Sequence, residues 1–250
     1  LRQIQMNWGL RPVDYLQGDI TNPMFTIEME TGTGKTYTYI KTMYELNKLY
    51  GWNKFIIVVP SIAIREGVQK SFETMQEHFA TEYGKRIQFF VYNSKQLSKI
   101  DSFASDSGLH VMIINTQAFN SSMNEDKNQE GRSGDAAARI IFSRRDEFGS
   151  RRPIDILAQT NPIMIIDEPQ SVLGANKTNA TRKGIAKFHP LFTLLYSATH
   201  RKDDVYNMVY RLDAMDAYNR KLVKKIEVKG ISQKGSTATN GFVYLDEIVI

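Results

Sequence analysis

Cysteine is absent from this chain of 250 residues, and other features that would direct its interpretation elsewhere are also missing. Without cysteine there can be no disulfide and no thiolate metal site, which fits a cytoplasmic protein. No run of 18 uncharged apolar residues occurs, so the sequence predicts no membrane span. The amino terminus lacks the basic and then apolar segments of a signal peptide. Leu1 in place of Met favours a fragment of a longer chain.

Positive charge is modest overall but unevenly distributed. The formal net charge is +5, from 32 basic and 27 acidic residues. Basic clusters can bind nucleic-acid phosphates, but they are also typical of an ordinary solvated surface. The charge therefore permits a nucleic-acid partner without establishing one. The clusters are Arg144-Arg145 with Arg151-Arg152, Arg182-Lys183 with Lys187, and the lysines and arginine within residues 220–229.

Short apolar runs alternate with longer amphipathic segments along most of the chain. This alternation is typical of βαβ units, and it predicts an α/β fold with a mainly parallel sheet flanked by helices. Several runs are almost entirely β-branched or aromatic, as expected of strands that are covered on both faces. Helices are predicted at residues 35–49 and, capped by Ser61, at 61–78. The predicted strands are residues 25–28, 55–59, 88–92, 110–115, 163–166 and 191–196.

Polar segments interrupt this alternation, which weakens after Thr199. Residues 101–108 predict a short polar turn, and residues 121–135 predict a surface loop because they contain almost no apolar side chains. The remaining pattern indicates one α/β domain followed by a connector. In that connector, residues 213–223 are predicted to be helical, and residues 225–228 and 242–250 are predicted to be extended.

A glycine-rich segment follows the first predicted strand and opens the first predicted helix. Residues 30–36 read ETGTGKT, and the strand–loop–helix setting is that of a phosphate-binding P-loop. Gly32 and Gly34 permit a tight backbone in which successive amides converge on phosphate oxygens. Lys35 can reach the β- and γ-phosphates, and the Thr36 hydroxyl can bind Mg²⁺. The segment therefore predicts a site for ATP with Mg²⁺.

Two adjacent carboxylates follow another apolar strand. Asp167 and Glu168 come directly after residues 163–166, so we expect them at the carboxyl edge of the sheet, beside the phosphate loop. There Asp167 can hold Mg²⁺, and Glu168 can orient the water that attacks the γ-phosphate. An acidic turn after a strand is the ordinary alternative. Its pairing with a P-loop favours hydrolysis, and the adjacency of the two carboxylates argues against a GTPase or a small-molecule kinase.

Taken in chain order, these motifs resemble those of superfamily 2 helicases, which commonly lack the first P-loop glycine, here Met29. The run Ser197-Ala198-Thr199 resembles the helicase element that couples nucleotide state to the grip on nucleic acid. DEPQ at 167–170 and PSIAIREG at 60–67 are more specific, and they resemble the motor subunit of type III restriction–modification enzymes. The resemblance extends over residues 29–47, 58–68, 114–120, 165–172, 195–200 and 212–230.

This resemblance implies a RecA-like fold, the first lobe of an ATP- and Mg²⁺-dependent motor on duplex DNA, and a modification (methyltransferase) subunit as partner. Strand-end loops at Pro60-Ser61 and Thr116-Gln117 would face the nucleic acid, although ordinary turn and cap roles are equally good interpretations there. The implied ATP contacts are Gly32, Thr33, Gly34, Lys35 and Thr36, the Mg²⁺ and hydrolysis residues are Asp167 and Glu168, and the coupling residues are Ser197, Ala198 and Thr199.

The family also implies parts for which the sequence shows no counterpart. A complete motor has a second RecA-like lobe whose arginine is worth roughly 10³–10⁵ in turnover, and a nuclease domain follows it. We therefore expect residues 1–200 to form the first lobe, residues 201–250 to form a connector, and the lobe alone to hydrolyse ATP weakly. Two alternatives stay open: another superfamily 2 DNA or RNA motor, and a P-loop scaffold that does not hydrolyse nucleotide.

Overall fold

The structure, a computed structural model, describes residues 1–116, 140–176 and 180–224. The strands in these ranges are β1 (Met24–Met29), β2 (Lys54–Val59), β3 (Gln88–Val91), β4 (His110–Asn115), β5 (Ile163–Asp167), β6 (Thr193–Ser197) and β7 (Tyr210–Leu212). The helices are α1 (Arg2–Asn7), α2 (Lys35–Tyr50), α3 (Ile62–Tyr83), α4 (Ser98–Ser105), α5 (Pro153–Gln159), α6 (Pro169–Val172), α7 (Ala180–Ala186) and α8 (Ala214–Asn219). Short 3₁₀ turns lie at Asp146–Phe148 and Lys202–Asp204.

All seven strands form one sheet in the order β3-β4-β2-β5-β6-β1-β7, and each neighbouring pair is parallel. Strand β2 shows why the apolar runs are continuous. Phe55, Ile57 and Val59 pack under α2 and α3, whereas Ile56 and Val58 pack on the opposite face with residues of α4 and α5. Helices on both faces of a parallel sheet confirm the predicted α/β class and its RecA-like architecture.

The first two long helices follow the sequence pattern closely. Helix α2 begins at Lys35 and buries Tyr39 and Met43, two members of its apolar stripe. Helix α3 begins after Ser61, whose hydroxyl accepts a hydrogen bond from the Ile64 amide at 3.3 Å, as a capping residue does. It continues to Tyr83, five residues beyond the predicted end.

One prediction from the sequence is wrong, and others lie where the structure gives no description. Residues 101–108 are not a polar turn, because α4 includes the first five of them and buries Ile100 and Phe103 against the sheet. Helix α8 is shorter than the predicted 213–223. Residues 121–135, 225–228 and 242–250 lie outside the described ranges. Within those ranges, no helix is both long and apolar enough to cross a membrane.

The sheet order places the three predicted motifs at one edge. Strand β6 lies between β5 and β1, and the carboxyl ends of parallel strands meet on the same side of a sheet. The phosphate loop follows β1, the acidic pair ends β5, and Ser197 ends β6. Residues far apart in sequence therefore converge above three adjacent strands.

Candidate nucleotide-binding site

The phosphate loop is a tight turn that opens away from the protein. Gly32 and Gly34 have φ values of 78° and 94°, which glycine adopts far more readily than other residues. A Cβ atom on either glycine would meet no atom within 4 Å, so both face open space. Below them, the amide and hydroxyl of Thr33 donate to the Glu30 carbonyl oxygen at 3.2 and 2.6 Å. These bonds hold the turn closed at its base.

Backbone amides at the start of α2 are available to a ligand. The amides of Gly32, Gly34, Lys35 and Thr36 donate no hydrogen bond to any described residue. The first amides of a helix lack intrahelical acceptors and carry the positive end of the helix dipole. This arrangement binds phosphate groups in many proteins.

Lys35 connects the loop to the acidic end of β5. Its Nζ atom lies 2.5 Å from Oε1 of Glu168, and the two side chains are only 13% and 26% exposed. The Glu168 backbone has φ 54° and ψ 61°, a left-handed conformation immediately before Pro169 that is uncommon outside glycine. Such conformations often occur at functional sites, where the surroundings hold them in place.

The second oxygen of the Glu168 carboxylate is also held. It accepts hydrogen bonds from Nε2 of Gln170 at 2.5 Å and from the Ser197 hydroxyl at 3.1 Å. Burial opposes ionisation of Glu168, but the bonds from Lys35, Gln170 and Ser197 outweigh it and hold its pKa below the ordinary value. Glu168 is therefore an ionised carboxylate, able to accept a proton.

Asp167 differs from its neighbour because it is buried and makes no ion pair with any described residue. It is 7% exposed, and burial raises its pKa to about 6, with the Glu168 charge adding to the shift and Lys35 opposing it. A nearby cation would favour its charged form. Mg²⁺ is commonly held by one or two protein oxygens together with substrate phosphates. Asp167 and the half-buried Thr36 offer that kind of donor set, so the residues present fit Mg²⁺.

Ser197 links the acidic end of β5 to the segment after β6. It is fully buried, and its hydroxyl lies 2.9 Å from Oε1 of Gln170 and 2.8 Å from the carbonyl oxygen of Thr199. It also accepts a bond from the Thr199 amide at 3.2 Å. Ala198 is half-buried and Thr199 is exposed. The predicted coupling residues are therefore in direct contact with Glu168 through Ser197.

Of the predicted nucleic-acid residues, Pro60, Ser61 and Thr116 lie at the same sheet edge, on the far side of β5 from the loop. Thr116 donates from its amide to the Val59 carbonyl at 3.1 Å and from its hydroxyl to the Pro60 carbonyl at 3.4 Å. Ser61 caps α3. Both polar residues thus have structural contacts, and a role in DNA binding stays a prediction. Gln117 lies outside the described residues.

Three residues near the site received no role from the sequence. Gln170 donates a hydrogen bond to Glu168. Its position in the DEPQ motif is the signal that could have indicated this role. Nε2 of His200 donates to the Ile27 carbonyl at 3.0 Å, and burial lowers the pKa of this imidazole. Tyr39, three residues after Thr36 on α2, is fully buried beside the site.

The parallel sheet, the phosphate loop after β1 and the acidic end of β5 define a helicase-like P-loop domain. The family model described as "Type III restriction enzyme, res subunit" matches residues 1–202. The chain therefore belongs to the family of type III restriction enzyme Res subunits, as its motifs predict.

Two curated relatives agree with this assignment. The chain is 35% identical to the Type III restriction-modification enzyme EcoP15I Res subunit of Escherichia coli, over 80% of this chain and 21% of that protein. It is 33% identical to the EcoPI Res subunit of Escherichia phage P1, over 83% of this chain and 21% of that protein. The chain thus spans about a fifth of the length of each relative.

A solved structure is also similar. It is a nuclease-deletion mutant of the Type ISP restriction-modification enzyme LlaGI in complex with a DNA substrate mimic. The TM-score is 0.46 at 14% identity, covering 84% of this chain and 19% of that one.

Proposed function

We propose that this chain is the ATP-binding motor lobe of a type III restriction endonuclease, and that it hydrolyses ATP with Mg²⁺ to drive movement on duplex DNA. The observation that carries the proposal is the 2.5 Å contact between Lys35 and Glu168. Through it, a phosphate-binding cation and an ionised carboxylate share one site at the sheet edge. A P-loop scaffold without hydrolysis would need only the cation.

Phosphate binding in this proposal begins with the amides at the start of α2 and with Lys35. The amides direct partial positive charge into the open space above Gly32 and Gly34. Lys35 adds a full charge, but its ammonium is already bonded to Glu168. The γ-phosphate of ATP therefore competes with Glu168 for Lys35, and ATP binding frees Oε1 of the carboxylate.

Once freed, Glu168 can act on water. Its Oε1 atom can accept a hydrogen bond from the attacking water, while Gln170 and Ser197 keep the other oxygen in place. Thr36 and Asp167 would hold Mg²⁺, which neutralises phosphate charge when bound. Gly32, Thr33 and Gly34 shape the loop. Ser197 contacts both Glu168 and Thr199, so a change at Glu168 can alter the position of Ala198 and Thr199.

The partners are proposed from the relatives, which are named as restriction-modification enzymes. We propose duplex DNA as the track and a modification subunit as the protein partner, with Pro60, Ser61, Thr116 and Gln117 near the DNA backbone. The division at residue 200 stays a prediction, and β7 belongs to the same sheet. Stimulation of ATP hydrolysis by duplex DNA would support this assignment. Stimulation by RNA alone would favour another superfamily 2 motor.

Replacement of Lys35 by Ala tests the nucleotide site directly. A charge-assisted hydrogen bond is worth about 1.5–3 kcal/mol, so we expect ATP affinity to fall about 10- to 100-fold. The measurement is an equilibrium titration with a fluorescent ATP analogue. Lys41→Ala is a matched control, because Lys41 lies on the same helix but pairs with Glu82 at 2.9 Å. Unchanged affinity in the Lys35 variant would overturn the site assignment.

A further inference from the structure

Tyr39 has a buried hydroxyl that the fold itself does not satisfy. The residue is 0% exposed, and within the described residues its Oη atom has no hydrogen bond of acceptable geometry. Two other tyrosines on this face of the sheet do have partners. The Tyr44 hydroxyl accepts from the Ile87 amide at 3.3 Å, and the Tyr196 hydroxyl lies 3.3 Å from Oγ1 of Thr42. A buried polar group without a partner is uncommon and unfavourable, so the Tyr39 hydroxyl requires an explanation.

The position of Tyr39 indicates what its hydroxyl serves. It lies three residues after Thr36 on α2, so both residues occupy the same face of the helix. Its ring packs edge-on against Tyr196 with centroids 5.6 Å apart, and Tyr196 is the register partner of Asp167 across β5 and β6. The phenol therefore lies between the helix that carries Thr36 and the strand end that carries Asp167.

The electrostatics agree with this placement. Burial raises the pKa of Tyr39, and the negative charge of Asp167 raises it further, whereas the Thr36 side chain has a smaller, opposing effect. The hydroxyl is thus protonated. An ionised carboxylate only accepts hydrogen bonds, whereas a phenol has one proton to donate.

We propose that Tyr39 is a positioning residue for the metal side of the nucleotide site, and that its hydroxyl donates to Asp167 when Asp167 and Thr36 hold Mg²⁺. This inference rests on the proposed function. Residues behind metal ligands fix the orientation of those ligands, and their loss typically costs 10- to 100-fold in metal affinity or activity. Tyr39 does not touch the nucleotide in this proposal, so its effect should appear in the Mg²⁺ dependence alone.

The test is Tyr39→Phe in the full chain, which removes the hydroxyl and keeps the ring. Binding of a fluorescent ATP analogue is titrated with Mg²⁺ and, separately, measured in a chelator. We expect the Mg²⁺ midpoint to rise about tenfold, while the metal-free affinity stays within about twofold. Tyr196→Phe is the matched control, because it removes a hydroxyl from the same aromatic pair on the side that faces Thr42. Its Mg²⁺ midpoint should equal that of the wild type.

Two further measurements separate positioning from mere packing. In chelator without nucleotide, the Phe variant should unfold at the wild-type temperature or above it, because an unsatisfied hydroxyl has been removed; a packing role would lower that temperature. In an Asp167→Asn background, Tyr39→Phe should have no further effect on the Mg²⁺ midpoint. An unchanged midpoint in the single variant, or additive effects in the double variant, would overturn the inference. If Lys35→Ala also left ATP affinity unchanged, the proposed function itself would fail.

Discussion

Glu168→Gln separates the two effects that we assign to one side chain. In the structure, Glu168 bonds Lys35 at 2.5 Å with both side chains largely buried, so this pair opposes the contact of Lys35 with phosphate. The carboxylate is also the proposed proton acceptor for water. Glutamine keeps the size, but its one amide oxygen can accept either from Lys35 or from Ser197, and it has neither the charge nor the basicity. The variant should therefore bind ATP more tightly and hydrolyse it more slowly.

The size of both effects follows from the contacts. A hydrogen bond to a charged group contributes about 1.5–3 kcal/mol, and one between a cation and a neutral amide contributes less. We therefore expect the substitution to weaken the bond between Lys35 and residue 168 by about 1 kcal/mol. Every 1.4 kcal/mol is tenfold in affinity, and ATP should bind about fivefold more tightly. Loss of a general base lowers a rate by about 10²–10⁴-fold.

The assays are an equilibrium titration with a fluorescent ATP analogue and single-turnover hydrolysis. Glu28→Gln is the matched control, since it changes the net charge equally and lies near the loop, but its carboxylate bonds Arg211 at 2.9 Å. That control should leave affinity and rate close to the wild type. If Glu168→Gln bound ATP more weakly, or gained no more affinity than Glu28→Gln, the competition between phosphate and Glu168 for Lys35 would be refuted.

Two further predictions concern Asp167 and Ser197. Burial raises the pKa of Asp167 to about 6. Between about pH 4 and pH 6 the folded protein therefore keeps a proton on Asp167 that the unfolded chain has lost. The free energy of unfolding falls as the pH rises through this range. Asp167→Asn should therefore stabilise the protein in chelator by roughly 1–3 kcal/mol at pH 8 and by clearly less at pH 4.5; equal gains in thermal unfolding at both pH values would contradict this. Ser197→Ala removes a bond to Glu168. It should lower the DNA-stimulated ATPase rate about two- to tenfold, and more than the unstimulated rate, without changing ATP affinity. An equal fall in both rates would exclude a coupling role.

The parts of the fold that were predictable are those encoded by contiguous residues. Strand β2 is a run of apolar residues because it is covered on both faces, and that burial is visible in the sequence. The phosphate loop was also predictable, since its strand, glycines and helix are adjacent in the chain. Helix α4 was missed because only Ile100 and Phe103 of its eight residues are buried, which is too few for a helical period.

The contacts that make the site are of a different kind. Lys35 and Glu168 are 133 positions apart, and they meet because β5 and β1 lie on either side of β6 in the sheet. The backbone of Glu168 is left-handed. A glutamate in the sequence gives no indication of that conformation, which glycine adopts more readily. The unsatisfied hydroxyl of Tyr39 likewise depends on the packing of α2 over β6. Motifs in the sequence identify the groups, and the strand order determines which of them touch.

If the chain has the proposed function, the position of β6 provides a route that couples hydrolysis to movement. Ser197 has one hydroxyl proton and lies within hydrogen-bond distance of three acceptors, on Glu168, Gln170 and Thr199. The proton can serve one of them fully at a time, so a displacement of the exposed Thr199 changes what Glu168 receives. A displacement of the segment after β6 therefore changes the hydrogen bonding of the proposed hydrolytic carboxylate through the Ser197 side chain. Conversely, the release of Glu168 from Lys35 alters the bond available to Thr199, as the reciprocity of coupled equilibria requires.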